Sequence, residues 1–385
     1  MTKDNYYISF VLATRNDDHG SNMQEKNRFF VERWSYLAEK YNLSAELIIV
    51  EWNPNQSRKK LSEVIEIPKL NKNLSIRIIE VEKKYHEKFT SSKKLDFFQM
   101  QAKNVGVRRA KGEFIVCTNI DVIFSENLFQ FLSEKKLKSN TVYRTDRYDL
   151  NFYLYEDTKI EEKKLMQYLT LINKQDYTIN VITGEKYYIN RPLYLMIYDI
   201  IKFLIWVFPK KLIKNIPNLF KGRFSLRYFI SERYKLITKF IIILNDYFLH
   251  IFSNLFTKKI HTNACGDFTL MHKDIWYKCS AYYEYDGYSF HIDSILLYKA
   301  LYKNYNFINL KEKIFHINHT SGSGFQFQNN ELFERLDRNE IPYIDSLKYL
   351  KFKSLLKKKS TSLNNDNWGI KGENLKKNIY IKSNS

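Results

Sequence analysis

Two side chains that could do chemistry follow a short apolar stretch. Residues 114–117 predict a buried strand, and Asn119 and Asp121 come directly after it. In an open α/β sheet, ligands bind beyond the carboxyl ends of the strands. We therefore expect Asp121 to hold a metal ion or a diphosphate, although an ordinary Asx turn would give the same pattern.

Three other predicted strands also carry polar side chains towards their ends, at Arg15, Glu51 and Arg144. The carboxyl ends of parallel strands meet at one edge of a sheet, so these three side chains and Asp121 should converge there. That edge is the predicted nucleotide site. A carboxylate such as that of Glu51 can accept from a nucleobase N–H or a ribose hydroxyl, but it could also be a solvated strand end.

The elements that must position these side chains are read from hydrophobic periodicity. The predicted strands are 6–13, 45–50, 74–81, 114–117, 141–148, 265–272, 307–310 and 314–319. The predicted helices are 24–41, 58–65, 95–110 with Gly112 as its C-cap, 127–135, 273–279, and one reaching residue 302 with Ser289 as its N-cap. The last residues, after 372, should fray.

This alternation predicts right-handed βαβ units and a mostly parallel sheet. No glycine-rich loop follows the first strand, which argues against P-loop and dinucleotide-binding proteins. With 385 residues the chain is long enough for one large domain or two. Its three cysteines lack metal spacing and its first residues lack an apolar signal region, so we expect a reducing cytoplasm.

The net charge of +20 is concentrated in one segment. Residues 185–259 contain 14 Lys and Arg against 4 Asp and Glu, and their aromatic and aliphatic runs are too short and interrupted for a confident transmembrane helix. Basic flanks beside aromatic faces suit an anionic membrane interface. A helical subdomain with a solvated basic face is the alternative.

In order along the chain, six stretches together resemble a GT-A glycosyltransferase related to family 2, of the bacterial surface-polysaccharide type. They are VLATRND, ELIIVEWNP, KNVGVRRAKGEFIVCTNID, CGDFTLMHKDIW, HIDSILLYKAL and IFHINH, over about residues 6–149 and 262–325. The resemblance implies a nucleotide-sugar-binding half at 1–149 and a helical insertion at 150–260. An acceptor-binding and catalytic half at 261–356 and a basic tail at 357–385 would follow.

The resemblance also implies site residues. The nucleotide-sugar donor would contact the loop after the first strand and further polar positions, namely Ala13, Thr14, Arg15, Asn16, Glu51, Asn104, Asn119 and Arg144. The family's Asp-x-Asp metal motif stands here as Asn119-Ile120-Asp121, so Asp121 would coordinate Mn²⁺ or Mg²⁺ while Asn119, which carries no charge, could serve the ribose. His316 or His319 would be the distant ligand. The two face opposite ways on a strand, so at most one should serve, and His316 is slightly favoured because it stands at the end of the apolar run.

An inverting transferase needs a carboxylate base beside the acceptor hydroxyl. The resemblance puts Asp293 in that position, at a helix start that would stabilise its ionised form, with Asp267 as the competing acid. We expect an enzyme that moves a sugar from a nucleotide donor to a saccharide or lipid-linked acceptor. It would work peripherally at the cytoplasmic face of the membrane, in surface polysaccharide or glycolipid synthesis.

Two rival functions remain open. A nucleotidyltransferase acting on sugar phosphates also uses a metal and a nucleotide, but it would normally carry a glycine-rich loop where this chain has Ala-Thr-Arg-Asn-Asp. A non-catalytic basic protein binding RNA should interleave basic and aromatic residues on a groove or sheet, whereas here the basic residues flank apolar runs. We therefore expect no nucleic-acid partner.

Overall fold

The computed structural model describes residues 6–17, 22–151, 157–189, 195, 198, 201, 258–317, 331–358 and 361–381. The chain divides into two compact units, one made of Met1–Tyr187 with His261–Ser385 and the other of Tyr188–Ile260. Most of the second unit lies outside the described residues, and so does most of the predicted membrane segment, from residue 202 to residue 257.

One mixed sheet organises the described part of the chain. Its strands are β1 (Ile8–Thr14), β2 (Ala45–Trp52), β3 (Leu74–Val81), β4 (Phe114–Thr118), β5 (Val122–Phe124), β6 (Thr141–Leu150), β7 (Leu169–Asn173), β8 (Tyr177–Asn180), β9 (Lys186–Tyr188), β10 (Phe268–His272), β11 (Asn306–Ile317) and β12 (Lys377–Ile381). Their order is β12-β3-β2-β1-β4-β10-β6-β7-β8-β9, with β11 beside β6 and β5 beside β11.

The strands that carry the predicted site run in one direction. β1 pairs in parallel with β2 and β4, and β2 pairs in parallel with β3. β10 is antiparallel to both β4 and β6, so β6 runs the same way as β4, and β11 is parallel to β6. The carboxyl ends of β1, β2, β4, β6 and β11 therefore lie on one side, called here the carboxyl edge, where β10 begins.

Short and medium helices connect the strands. They are α1 (Met23–Lys40), α2 (Leu61–Val64), α3 (Lys83–His86), α4 (Gln99–Arg109), α5 (Glu126–Ser133), α6 (Glu162–Leu165), α7 (Lys273–Lys278), α8 (Ile292–Tyr302), α9 (Glu331–Arg338) and α10 (Ser346–Leu356). Three of them begin at a side-chain cap, since Ser125 accepts from the amide of Leu128, His272 from that of Asp274 and Asp345 from that of Lys348. No helix in the described residues has the length and apolar character needed to span a bilayer.

The core lies on both faces of the central strands. Every residue of β1 is buried, because α4 packs on one face and side chains of α1 and α5 cover the other. Phe10 shows the packing, since its ring contacts those of Trp34, Phe124 and Phe129 at centroid distances of 5.4 to 5.9 Å. Burial on both faces explains why these strands are continuous apolar runs.

Two predicted helix caps are wrong. The helix α4 ends at Arg109, and Gly112 lies beyond it, where a Cβ atom would come within 2.5 Å of the Ser9 nitrogen. Glycine at 112 therefore serves a close approach to β1, not a helix end. The N-cap of α8 is His291 with a φ of 66°, and Ser289 instead accepts from the amide of Ile292 through its carbonyl.

Two strand predictions are also wrong. The stretches 307–310 and 314–319 were predicted as separate strands, but β11 runs through the first and up to residue 317 of the second, with an irregularity between Asn309 and Lys313 where the register shifts. The residues after Gly372 were expected to fray, yet Lys377–Ile381 forms the edge strand β12, hydrogen-bonded antiparallel to β3. Alternation over five residues is a weak sequence signal at a sheet edge.

Candidate active site

The Asn119-Ile120-Asp121 segment bridges β4 and β5 at the carboxyl edge. β5 pairs antiparallel with the end of β11, and this pairing sets Val122 opposite His316. The amide of Ile317 also donates to the carbonyl of Asp121 at 2.9 Å. Strand pairing therefore brings the predicted metal residue Asp121 next to His316, a residue from the far half of the chain.

The side chains of Asp121 and His316 face each other directly. The Asp121 Oδ2 atom lies 3.5 Å from His316 Nε2, and Asp149 Oδ1 lies 3.6 Å from His316 Nδ1. Burial and the nearby Arg147 lower the pKa of His316, but the two carboxylates outweigh them and raise that pKa to about 10. In this state His316 is an imidazolium held between Asp121 and Asp149.

The pair can accept a divalent cation in place of that proton. Two ligand atoms on one Mn²⁺ or Mg²⁺ ion lie about 3 Å apart, close to the spacing between the Asp121 and His316 atoms. Oxygen and imidazole nitrogen both suit Mn²⁺. The described residues contain no group of three or more His, Cys, Asp and Glu arranged to hold a metal ion, so a bound diphosphate and water would have to complete the coordination.

Asp267 immediately precedes β10, and its carboxylate is held on both sides. Asn119 Nδ2 donates to its Oδ1 at 2.5 Å, and Arg147 Nη1 donates to its Oδ2 at 2.5 Å. Gln99 Nε2 in turn donates to the side-chain oxygen of Asn119, Oδ1, at 2.9 Å. With both oxygens engaged, the Asp267 carboxylate is held in one orientation, and its role as a catalytic acid stays a prediction.

Arg147 and Asp149 complete the site, and neither was singled out in the sequence. Arg147 reaches Asp149 through two contacts, of 2.7 Å from Nε and 2.9 Å from Nη2, and Asn173 adds a hydrogen bond to the same carboxylate at 3.0 Å. Arg147 and Asp149 are two residues apart, so both side chains lie on the same face of β6. The sequence shows this pattern only if the predicted strand is extended beyond residue 148.

Asp293 lies at a helix start, as predicted, and is the second residue of α8. Its Oδ1 accepts from the Ser294 amide at 2.8 Å, and the backbone of Gly266 leaves so little room that a Cβ there would lie 3.1 Å from Asp293 Oδ2. Burial raises the pKa of Asp293, while a hydrogen bond from the Cys265 thiol and the Ser294 amide act in the opposite direction. A partly exposed carboxyl with a raised pKa is suited to general-base chemistry.

A fully buried lysine supports this loop. Lys103 in α4 donates from Nζ to the Gly266 carbonyl at 2.8 Å. Burial lowers the pKa of Lys103, while Asp267 and Asp293 are among the nearby groups that raise it. No sequence pattern marks this residue, because one lysine on a helix looks the same whether it faces solvent or the interior.

The predicted donor loop is formed, and its side chains are engaged within the protein. Arg15 Nε donates to the Asn53 carbonyl at 2.8 Å and its Nη1 pairs with Asp17 at 2.8 Å, while Asn16 donates to the Lys59 carbonyl at 2.5 Å. Ala13 and Thr14 are the last two residues of β1, and both are buried. Their role in donor binding stays a prediction.

Glu51 lies opposite Thr14 in the register of β1 and β2. Both of its carboxylate oxygens accept from the Leu61 amide at 3.0 Å, and burial raises its pKa to about 7. The carboxylate therefore positions the start of α2 as well as lying near the carboxyl edge. Nucleoside binding by Glu51 also stays a prediction.

Arg144 does not lie at the carboxyl edge, which corrects the expected convergence of four strand ends. It sits in the middle of β6, fully buried, and donates to the carbonyls of His261 and Asn263 at 3.0 and 2.8 Å. Asn104, also fully buried, is hydrogen-bonded to the backbone of Tyr282 in both directions. His319 lies outside the described residues.

Comparison with known proteins gives little further guidance. No protein-family model and no curated protein matches the chain. Among solved structures it is similar to the crystal structure of GalNAc-T7 with UDP, GalNAc and Mn²⁺, at 11% identity and a TM-score of 0.39. The similarity covers 91% of this chain and 54% of that chain, so this chain spans about half of the structure it matches.

Proposed function

We propose that the protein is a glycosyltransferase of GT-A type that transfers a sugar from a nucleotide-sugar donor to a saccharide or lipid-linked acceptor. The observation that carries the proposal is the meeting of Asp121 with His316, 3.5 Å apart at the carboxyl edge, in a site that also holds Asp267 and Asp293. A cation site beside a carboxylate of raised pKa is the pairing that a nucleotide-diphosphate leaving group and an attacking hydroxyl require.

In this proposal Asp121 and His316 hold Mn²⁺ or Mg²⁺, which when bound neutralises the diphosphate of the donor. Asn119 is hydrogen-bonded to Gln99 and Asp267, so its side-chain amide has a defined orientation within the site. Arg147 keeps Asp267 and Asp149 in place from the side of β6. The protein's own contribution is to preorganise charge around the leaving group before the donor arrives.

Asp293 is the proposed base. Of the two candidate acids, Asp267 has both oxygens engaged by Asn119 and the charged Arg147, whereas Asp293 accepts from two neutral groups, the Ser294 amide and the Cys265 thiol. Its carboxylate can take the proton of an acceptor hydroxyl as that oxygen attacks the anomeric carbon, which corresponds to an inverting reaction. The raised pKa of Asp293 strengthens it as a proton acceptor.

A hydrolysis screen tests the proposal. The full chain is incubated with a panel of nucleotide sugars, with Mn²⁺, with Mg²⁺ or with chelator, and release of the nucleoside diphosphate is measured. We expect release of the nucleoside diphosphate from one or a few donors, at a rate that depends on the metal. Asp121→Ala and His316→Ala should lose the metal-dependent part of that release. Asp274→Ala is the matched control, because Asp274 is an exposed aspartate at the start of α7.

Two outcomes would contradict the proposal. If the release of nucleoside diphosphate is unchanged by chelator and by Asp121→Ala, Asp121 does not bind a catalytic metal ion. Release of pyrophosphate from a nucleoside triphosphate and a sugar phosphate, with no nucleotide sugar consumed, would identify a nucleotidyltransferase instead.

We also propose that the protein works peripherally at the cytoplasmic face of the membrane, in surface polysaccharide or glycolipid synthesis. The excess of 14 basic over 4 acidic residues in 185–259 supports this, since anionic lipids attract such segments. Flotation with anionic vesicles that persists unchanged after removal of residues 185–259 would contradict the role of that segment.

A further inference from the structure

The helix α10 connects the candidate base to the protein surface. On its inner side the ring of Tyr349 stacks on His291 at a centroid distance of 4.2 Å with an interplanar angle of 7°. Lys353 places its ammonium 4.2 Å from the ring centroid of Tyr298 in α8. His291 is the N-cap of α8, two residues before Asp293, so α10 packs directly against the segment that positions the base.

The outer side of α10 exposes aliphatic surface. Leu347 and Leu355 are 58% and 48% exposed, and Lys351 stands between them. A spacing of four residues puts all three side chains in one stripe along the helix. Lys358, just past the helix end, follows Leu355 by three residues, the other spacing that keeps side chains on one helix face. Single exposed leucines are ordinary on a protein surface, but two in one basic stripe form a combined apolar and cationic surface.

The charge of this segment has one sign. Residues 346–358 contain five lysines and no acidic residue. Four of these lysines are exposed, namely Lys348, Lys351, Lys357 and Lys358. The acid just before the helix, Asp345, caps it and lies 3.6 Å from the Lys348 ammonium, so the excess charge is greatest along the middle and the end of α10.

We propose that the outer stripe of α10, defined as Leu347, Lys351, Leu355 and Lys358, docks on the anionic surface of a lipid bilayer. The leucines would enter the boundary between headgroups and acyl chains, and the lysines would meet the lipid phosphates. A nucleic acid offers phosphates without an apolar layer, and a second copy of this basic stripe would repel the first. A bilayer interface satisfies both the aliphatic and the cationic part.

Docking in this way has a consequence for the acceptor. Because the inner side of α10 contacts His291 next to the start of α8, a membrane on the outer side lies one helix away from Asp293. An acceptor carried on a lipid would then reach the base from the bilayer, which favours the lipid-linked class over a free saccharide. This consequence rests on the proposed function, whereas the docking itself does not.

The native cysteines make a direct test possible. Cys117, Cys265 and Cys279 are all buried, so a cysteine introduced at an exposed position can be labelled selectively. An environment-sensitive fluorophore is attached to Leu355→Cys in the full chain. Its matched control is Ile381→Cys, which replaces another aliphatic side chain, 63% exposed, in the edge strand β12.

We expect the label at position 355 to shift to the blue with vesicles of phosphatidylcholine and phosphatidylglycerol. The shift should be absent with phosphatidylcholine alone and should weaken in high salt, because salt screens the lysines. The label at position 381 should not respond. A label at 355 that stays in an aqueous environment while the protein sediments with the vesicles would overturn the proposal.

A pair of double variants gives a second measurement. Leu347→Ser with Leu355→Ser should weaken partition onto the anionic vesicles by about tenfold, and Ile379→Ser with Ile381→Ser should leave it unchanged. Equal losses in both pairs would contradict docking through α10. A blue shift at 355 that grows with protein concentration and without vesicles would show that a second copy covers the stripe. A shift produced by RNA would point to a nucleic acid instead. None of these measurements needs a donor or an acceptor, so their outcome is independent of transferase activity.

Discussion

The carboxylate of Asp293 lies against the backbone of Gly266, so closely that a Cβ atom at position 266 would come within 3.1 Å of Asp293 Oδ2. That separation is tighter than ordinary van der Waals contact, so a side chain at 266 has to displace the carboxylate by a few tenths of an ångström. Lys103 holds the same glycine from the other direction through its carbonyl. The absence of a side chain at Gly266 therefore determines the position that the Asp293 carboxylate can take.

We predict that Gly266→Ala lowers turnover by about tenfold, because catalysis is sensitive to small displacements of a base from its productive position. The melting temperature should change little, since the added methyl group makes one tight contact, with Asp293 Oδ2 at 3.1 Å, and its next neighbour, Met100 Cε, lies at an ordinary 3.8 Å. Steady-state kinetics at saturating donor and a thermal unfolding curve measure the two effects.

Gly372→Ala is the control for this variant. Gly372 has a φ of 82°, and no atom lies within 4 Å of the point that a Cβ atom would occupy, so alanine there meets backbone strain alone. It should cost about 1 kcal/mol of unfolding free energy and leave turnover unchanged. If Gly266→Ala behaves in the same way as Gly372→Ala, the contact with Asp293 does not govern the base.

The surroundings of position 119 suit the uncharged side chain of Asn119. Its Nδ2 donates to Asp267 Oδ1 at 2.5 Å, so Asn119→Asp would set two carboxylates against each other. Like charges this close raise the pKa of one member of the pair, and the folded state then binds more protons than the unfolded state. We predict that the stability of Asn119→Asp falls as the pH rises between about pH 5 and pH 8.

Thermal unfolding of the wild type and of Asn119→Asp across that pH range measures this loss. Asn119→Ala is the control, because it removes the same hydrogen bond without adding charge, and it should show no additional pH dependence. A pH profile of Asn119→Asp that parallels that of Asn119→Ala would mean that the two carboxylates do not interact.

The sequence was a good guide to the strands that are buried on both faces. The prediction for 74–81 coincides with β3, those for β2 and β4 end one or two residues early, and that for β1 begins two residues early and ends one residue early. Such strands are continuous apolar runs, which periodicity detects. The strands β7, β8 and β12 were missed because β7 and β8 are mostly half-buried and β12 is mostly exposed, so none has the continuous apolar run of a buried strand. These strands depend on pairing with their neighbours in the sheet.

The site could be predicted in part only. Asp121 was found from its place after a buried strand, but its contact with His316 depends on the pairing of β5 with β11, which no local pattern contains. Asp149 was missed because the strand prediction stopped at residue 148. Arg144 was placed at the edge because β6 is longer than its apolar part, which leaves that arginine in mid-strand.

We predict that Asp293→Asn reduces turnover by about 10²–10⁴-fold and leaves donor binding nearly intact, since a base contacts the acceptor and not the diphosphate. Asp267→Asn should act differently. It breaks the ion pair with Arg147, so it should lower stability and raise the KM for the acceptor more than it lowers kcat. Both variants are assayed side by side at saturating donor.

The pH profile separates the two roles further. Burial raises the pKa of Asp293, and a base must be deprotonated to act, so wild-type kcat should fall on the acid side at a pH above the usual aspartate range. That limb should persist in Asp267→Asn. Wild-type turnover in Asp293→Asn, together with an inactive Asp267→Asn, would transfer the base to Asp267, and activity in both would point to a retaining mechanism.

Glu51 should make stability depend on pH. Burial raises its pKa from 4.5 to about 7, so between those values the folded state binds more protons than the unfolded state. The contribution of Glu51 to the unfolding free energy is therefore most favourable below about pH 4.5, is lost as the pH rises, and is constant above pH 7.

Glu51→Gln stays neutral, and its amide oxygen can still accept from the Leu61 amide. Relative to the wild type, we predict that this variant gains up to about 3 kcal/mol of unfolding free energy between pH 5 and pH 8, measured by urea unfolding. Glu39→Gln, which changes an exposed glutamate of α1, should show no such gain. An equal response of the two variants would mean that Glu51 is ionised in the folded protein throughout that range.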